Sequence, residues 1–494
     1  MSRELLSHLL TCCLASSLLT GLCNAAPASA SCDSTECLTE ALLRLELELG
    51  QLKKHVRNLE QSAWPIEGGS VAWQKCRKGV CHCGRHSRTV SCQQLRGLNS
   101  VPRRQVIPDS VEVLHLSHTH IDAIHENAFR GLFRLKELYV SENLLEVLPA
   151  KLFYDLENLS VLNLRGNRIT ELEKDLLVNN RLLTVLDLSD NRLTDIYEQE
   201  FSALSVLNYL TLRNNAIVSL RPDTFRYLRS LEHLDLSGNR LSSLPDTLFS
   251  SLKVLQILNL SENRITALAD MTFGDNVRLV TLDLHQNALE NLSEPLLQNT
   301  TSVTYLDLSA NRLSRVSDRH FERLLFLRHL FLGYNKIKHL ENGTFTALTS
   351  LEHLFLFGNS MTRVDNGAFR GLHQLKWLLL NDNDIKTLPA NVFKDLGSLE
   401  RLQLNSNEFH SLATGLLDNL PRLRQVQLGK NPWHCDCFIL YLTHWLKLNR
   451  DKLWDRQPKC RGPGDLGGSY VINMTFNDVC DGQWRSMVSI KGRV

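Results

Sequence analysis

Cysteine is absent from the long stretch between Cys92 and Cys435, so no disulfide braces the middle of this chain and its own core must hold it. A surplus of either charge is missing too. Lys and Arg number 55 against 53 Asp and Glu, a net charge of +2, which argues against a general nucleic-acid binder. Beyond the N-terminus no stretch reaches the roughly 18 uninterrupted apolar residues that a membrane span needs. The tail DGQWRSMVSIKGRV also lacks the apolar end of a lipid-anchor signal. No nucleophile beside a base and no metal triad stands out, and GPGDLGGSY lacks the Lys-hydroxyl pair of a phosphate loop. The expectation is therefore a chain with no catalytic role, no cofactor and no metal.

What is present is a 494-residue chain, 43% hydrophobic and 22% charged, ample for a sizeable core. Residues 1–30 carry Arg3, an apolar run and a small-residue end at Ala28-Ser29-Ala30, the pattern of a secretory signal peptide. The expected location is the extracellular space. Removing that segment leaves ten cysteines in three even clusters: Cys32 and Cys37; Cys76, Cys81, Cys83 and Cys92; Cys435, Cys437, Cys460 and Cys480.

The cysteine-free middle is periodic. In the pattern LxxLxLxxNxL the Asn falls at Asn143 and at every 24th residue after it as far as Asn431, without insertion or deletion. An earlier unit, VEVLHLSHTHI, puts Thr119 in the same slot, which gives fourteen repeats. A second ladder at the same spacing runs Phe129, Phe153, Phe201, Phe225, Phe249, Phe273, Phe321, Phe345, Phe369 and Phe393, with Leu177, Leu297 and Leu417 in the gaps. A fixed period of this length marks a solenoid whose units bury their apolar faces only by stacking. The phenylalanines read as a core spine with no further role.

CRKGVCHCGRHSRTVSCQQLRGLNSVPRRQVIPDSV resembles the N-terminal cysteine cap of extracellular leucine-rich repeat proteins, and NPWHCDCFILYLTHWL resembles their C-terminal cap. Slit proteins, Toll-type receptor ectodomains, chondroadherin and the variable lymphocyte receptors of jawless fish share this layout, and the resemblance covers roughly residues 73–480. It implies an α/β solenoid: a leucine-rich repeat horseshoe of fourteen 24-residue repeats with a concave parallel sheet. The caps would span 73–108 and 434–480 and the repeats 109–433, with a tail at 481–494. In the family the N-terminal four cysteines pair within their cap, and Cys435 and Cys437 would pair with Cys460 and Cys480. Zinc is the competing use of clustered cysteines, but export favours disulfides.

Residues 31–60 precede the cap and have no counterpart in that layout. Leu38, Leu42, Leu45, Leu49, Leu52, Val56 and Leu59 alternate at spacings of four and three, an a/d seam long enough for a short parallel coiled coil. Cys32 and Cys37 sit just ahead of it. They would lock neighbouring chains into a dimer or trimer through residues 32–59, unless they pair within one chain or the helix is a single amphipathic one. Residues 61–72, with Pro65, Gly68 and Gly69, read as the linker.

Strand alternation turns the x positions flanking the central leucine of LxLxx to solvent. Most repeats carry polar filler there, as in HLDLSGN at 233–239, whereas 353–359 read HLFLFGN. Phe331, Phe355, Phe357, Trp377 and Leu379 fall on three adjacent strands and predict one apolar patch, with Tyr305, His329 and His353 beside it, Asp307 on one border and Arg401 on the other. An aromatic centre with a charged rim suits a protein-binding surface. The plainer alternative is cross-strand aromatic pairing, or cover by another segment. Asp187, Asp235, Asp283 and Asp307 form an acidic run that LDLS filler explains. His329 and His353, with Asp307 on the diagonal, are too few for a convincing metal site, and a pH-sensitive contact suits the pair better.

From Gly68 to Pro108 there is no acidic residue, while Lys75, Arg77, Lys78, Arg85, Arg88, Arg96, Arg103 and Arg104 all occur. Such a patch suits sulfated glycans or anionic cell surfaces, or is simply a solvated face. Glycosylation sequons stand at Asn158, Asn259, Asn291, Asn299, Asn342 and Asn473. The expected function is that of a secreted, disulfide-linked oligomeric recognition protein that binds a protein or glycan on the concave face, as in innate immunity. The alternative is a matrix or adhesion organiser that binds through the basic cap and coiled coil.

Overall fold

The computed structural model describes Leu49, residues 65–93 and residues 106–480. Residues 1–30, Cys32 and Cys37, the heptad seam apart from Leu49, Arg96, Arg103, Arg104 and residues 481–494 fall outside the described residues. The chain divides into two compact units, 1–60 and 61–494, and the described residues other than Leu49 belong to the second.

Fourteen three-residue strands, from Val113–His115 to Gln425–Gln427, pair in parallel, each with the next. The register is set by the period: Leu330 faces Leu354 and Leu354 faces Leu378, so residues 24 apart are neighbours. In His329–Phe331, His353–Phe355 and Trp377–Leu379 the central Leu is buried and its two flankers are half-exposed. That is the alternation the LxL pattern dictates. Each fully buried Leu contributes roughly 1.5–3 kcal/mol, repeated on every rung.

The Asn of each repeat closes its turn. Asn359 Nδ2 donates to Leu332 O at 2.9 Å and Leu356 O at 3.0 Å, while its Oδ1 accepts from Ile337 N at 3.1 Å. It thereby satisfies backbone groups of two successive turns that would otherwise be buried unpaired. Thr119 supplies part of this set, since its Oγ1 donates to Leu116 O at 2.9 Å. The residue just before each Asn is left-handed: glycine at 166, 238 and 358, but a side-chain-bearing residue in ten other repeats, Tyr334 among them at φ 53°.

The phenylalanines stack inside, with ring centroids 6.4 Å apart for Phe225 and Phe249 and 6.1 Å for Phe249 and Phe273. Leu177, Leu297 and Leu417 are buried in the same series.

Both ends of the solenoid are closed. Thr89–Ser91 adds in parallel to Val113–His115 and antiparallel to His82–Gly84, which brings the sheet to sixteen strands. Disulfides Cys76–Cys83 and Cys81–Cys92 tie this hairpin to the helix Ser70–Cys76. At the far end Cys435–Cys460 and Cys437–Cys480 hold the helix Leu440–Leu448 over the last repeat. Leu453 bridges Val426 in parallel. Among the described residues no helix is long and apolar enough to cross a membrane.

Candidate ligand-binding face

In the ordinary repeat the polar residue after the central leucine has a structural task. Asp235 Oδ1 accepts the Ser237 N–H at 2.8 Å, and Asp307 Oδ1 accepts both N–H and Oγ–H of Ser309, at 2.8 and 2.5 Å. Asp187 and Asp283 do the same for Ser189 and His285. The acidic run is thus a column of local turn bonds. Phe331 and Phe355 give that bond up, a loss of about 0.5–1.5 kcal/mol at each rung.

The rings that replace it are continuous. Tyr305 lies 5.0 Å from Phe331, Phe331 is edge-on to Phe355 at 4.8 Å, and Phe355 is 6.4 Å from both Phe357 and Trp377. Beside them His353 stacks on Trp377 at 4.4 Å and on His329 at 4.7 Å. Leu379, half-exposed, flanks Phe355 on the next strand. Elsewhere on the sheet face aromatic contacts are isolated pairs, His115 with Tyr139 and Tyr209 with His233. Here they run over four successive strands.

Two members of this face were not legible as such. Tyr334 is 61% exposed and meets Phe357 edge-on at 5.0 Å. It stands where other repeats carry Glu, Asp, Asn, Gln, Ser, Ala, Lys or Gly, and an aromatic in that column was the available signal. Trp454 comes from the C-terminal cap, where no repeat sets the register. Its ring lies 4.7 Å from the Arg401 guanidinium, which on its other side lies 4.4 Å from the ring of Trp377. The cap therefore lengthens the aromatic row instead of covering it.

His329 Nδ1 and His353 Nδ1 are 2.8 Å apart, so one proton is shared between two rings. Burial holds both below the usual histidine range, and for His353 the neighbouring His329 adds to the effect, while Glu352 opposes it in each case. Burial raises the Asp307 carboxyl against the pull of its Ser309 bonds, and raises Tyr305 to about 12. Asp307 does not join the histidine pair. It groups with Asp283 and His285, whose ligand atoms lie within 4.8 Å of one another, and His285 Nδ1 is 2.9 Å from Asp283 Oδ1. Clefts of about 620 Å³ open elsewhere, one beside Asn342 and Asn391 and one among Asn405, Trp433 and Asp455. The aromatic row is a wall.

Part of the basic patch is already paired. Lys75 reaches Glu67 at 2.7 Å, Arg88 binds Glu112, and Arg77 Nε donates to Cys83 O at 3.3 Å. Both carboxylates lie just outside the acid-free window, and Glu112 is held below the usual carboxylate range by Lys136 and Arg88. Lys78 and Arg85 are exposed. Of the sequons, Asn158, Asn291, Asn299, Asn342 and Asn473 are exposed. Asn259 is half-buried on the strand Ile257–Asn259, and its Oδ1 accepts the Ser261 hydroxyl at 2.7 Å.

The family described as Leucine rich repeat matches this chain in ten overlapping segments that run from 109–169 to 373–432. No curated protein matches. Among solved structures, a leucine-rich repeat protein of Leptospira interrogans is 28% identical, with a TM-score of 0.57 over 64% of this chain and 78% of that one. The TLR13–ssRNA13 complex contains a chain 26% identical, with a TM-score of 0.66 over 75% of this chain. This chain spans about half of that one, 54%. The leucine-rich repeat domain of APL1B is 25% identical, with a TM-score of 0.53 over 72% of this chain and 93% of that one.

Proposed function

Since the chain belongs to the leucine-rich repeat family, we propose that it is an extracellular recognition protein that binds a protein or glycan ligand on the solvent face of its parallel sheet, centred on Phe331, Tyr334, Phe355, Phe357 and Trp377. The observation that carries this reading is the exchange of a structural turn bond for exposed aromatic area on successive rungs. Local stability does not favour the exchange, whereas large rigid aromatics dominate binding hot spots. The TLR13 chain is named in complex with single-stranded RNA, an example of a related solenoid used for recognition.

Secretion, glycosylation at the six sequons and a disulfide-linked dimer or trimer through residues 32–59 complete the reading, and all rest on sequence pattern. Oligomerisation would raise a weak single-site affinity by avidity, which suits repetitive surfaces such as those met in innate immunity. A matrix organiser working through the basic cap is the weaker alternative, because Lys75 and Arg88 already have carboxylate partners.

The test is the double variant Phe355→Asp/Phe357→Ser, which recreates the HLDLSGN arrangement that supports itself at 233–239. Wild type and variant, matched for folding, are compared in pull-downs from extracellular fluid and from cell and microbial surfaces. Partners lost only in the variant support the aromatic face. Identical partner sets refute it and direct attention to the basic cap.

A further inference from the structure

We propose that the C-terminal end of this face recognises a carboxylate group of a protein partner, through the guanidinium of Arg401 clamped between the indoles of Trp377 and Trp454. The inference rests on the sheet-face reading above and narrows it from protein or glycan to an acidic-apolar protein surface.

Arg401 is fixed on three sides. Trp377 and Trp454 lie on either side of it at 4.4 and 4.7 Å, and its Nε donates to Gln425 Oε1 at 2.7 Å. Among the described residues no carboxylate lies within 4.0 Å of it; the nearby Glu352 is taken by Lys376 at 2.5 Å and Arg328 at 3.8 Å. Arg401 is thus a cation with its rotamer set and its faces stripped of water, but without a counter-ion. An arginine held in this way loses little entropy when it binds, and its planar fork matches a carboxylate.

The hydrogen-bonding inventory points the same way. Arg and Trp side chains can only donate. Among the described residues neither indole Nε1–H has a partner, and the Nε bond to Gln425 is the guanidinium's one hydrogen bond. The outward residues on the flanking rungs, Gln403 and Gln427, are neutral. Donors therefore exceed acceptors here, and an anionic acceptor is their complement.

Ring exposure decides between a protein and a sugar. A sugar ring stacks on an open aromatic face. Trp377 has none to offer, because His353 from the preceding strand lies at 4.4 Å and Arg401 from the following one at 4.4 Å. The row presents ring edges with one guanidinium set among them. Phe355 and Phe331 follow on the next two strands, spaced about 4.8 Å apart, so apolar side chains should accompany the partner's carboxylate.

The experiment uses the full-length secreted protein and two synthetic peptide pools. One fixes Asp or Glu among randomised apolar residues; the other is its Asn/Gln mirror. A heparin-derived hexasaccharide is run in parallel. Wild type is expected to retain the acidic pool about ten-fold over its mirror, with the preference shrinking as salt rises. Arg401→Gln should erase the preference, and Arg401→Lys should keep only part of it, which separates loss of the fork from loss of charge. Trp454→Leu, at an exposed site, should weaken it without unfolding the repeats. Equal retention of the two pools, or a preference that survives Arg401→Gln, overturns the carboxylate proposal. If both pools are still lost in Phe355→Asp/Phe357→Ser, the sheet-face reading survives that failure. If neither pool binds, both readings fail for peptides. Binding of the hexasaccharide alone, dependent on Arg401, would make the ligand a glycan anion and also overturn the proposal.

Discussion

Tyr334 and Phe357, on successive turns, meet edge-on at 5.0 Å, and each lies where only a glycine of the other's repeat leaves room. A Cβ on Gly358 would fall 2.6 Å from the Tyr334 ring, and one on Gly333 would fall 3.0 Å from the Phe357 ring. Four residues in two repeats are thus fitted to one another, at a φ of 53° that a bulky side chain seldom adopts. Backbone strain kept at an exposed aromatic is what a binding surface leaves behind.

Tyr334→Gly should therefore leave the fold standing. Relief of the left-handed conformation is worth about 1–2 kcal/mol, against about 0.5–1.5 kcal/mol for the lost aromatic pair. Thermal unfolding is expected to shift little while partner binding drops. Gly358→Ala should lower the unfolding temperature, because φ is 66° there and Tyr334 fills the space. Combining it with Tyr334→Ala should recover part of the loss, since only the steric share is removed. Calorimetry on the three variants decides.

Asn359→Ala removes three donated bonds and one accepted bond from a buried position. Leaving these backbone groups unpaired should cost on the order of 3–5 kcal/mol, read by denaturant unfolding. Asn359→Thr should be milder, because Thr119 already serves in that slot at the first repeat.

The histidine pair predicts a pH response with a definite sign. Both folded-state values lie below the ordinary 6.5, so the unfolded chain takes up protons first as pH falls. The stability this pair contributes is complete above about pH 6.5 and declines as pH falls through the lower folded values. Melting temperatures from pH 7.5 to 5 should fall more steeply for wild type than for His329→Gln/His353→Gln. Parallel curves would show that the pair does not titrate in this way.

Replacing Cys437 and Cys480 by serine should destabilise the C-terminal cap by about 2–4 kcal/mol. Hydrogen exchange should then rise first around Leu440–Leu448 and Trp454, while the strands before Trp377 stay protected. A uniform rise along the solenoid would mean that the cap and the repeats unfold as one unit.

The period made the repeats legible. Residues 24 apart become lateral neighbours once the strands stack, so the buried leucines, the Asn bonds, the phenylalanine spine and the row of Phe331, Phe355 and Trp377 followed from counting. The cysteine pairing followed from a family resemblance, and the structure has the four bonds so expected. The partners of the basic patch did not follow. Glu67 and Glu112 flank a window whose own composition is free of acid, and only folding brings them onto Lys75 and Arg88.

The sequence by itself thus determined the solenoid, its register and which side chains share its outer face, because a fixed repeat converts distance along the chain into distance across the sheet. Tertiary structure alone decided that Trp454 closes on Arg401 and that Tyr334 is held left-handed beneath Phe357. The cap lies outside the repeat and its path back to Val426 is set by packing and disulfides, and a backbone dihedral depends on the turn that the neighbouring Asn locks, not on the residue that must occupy it.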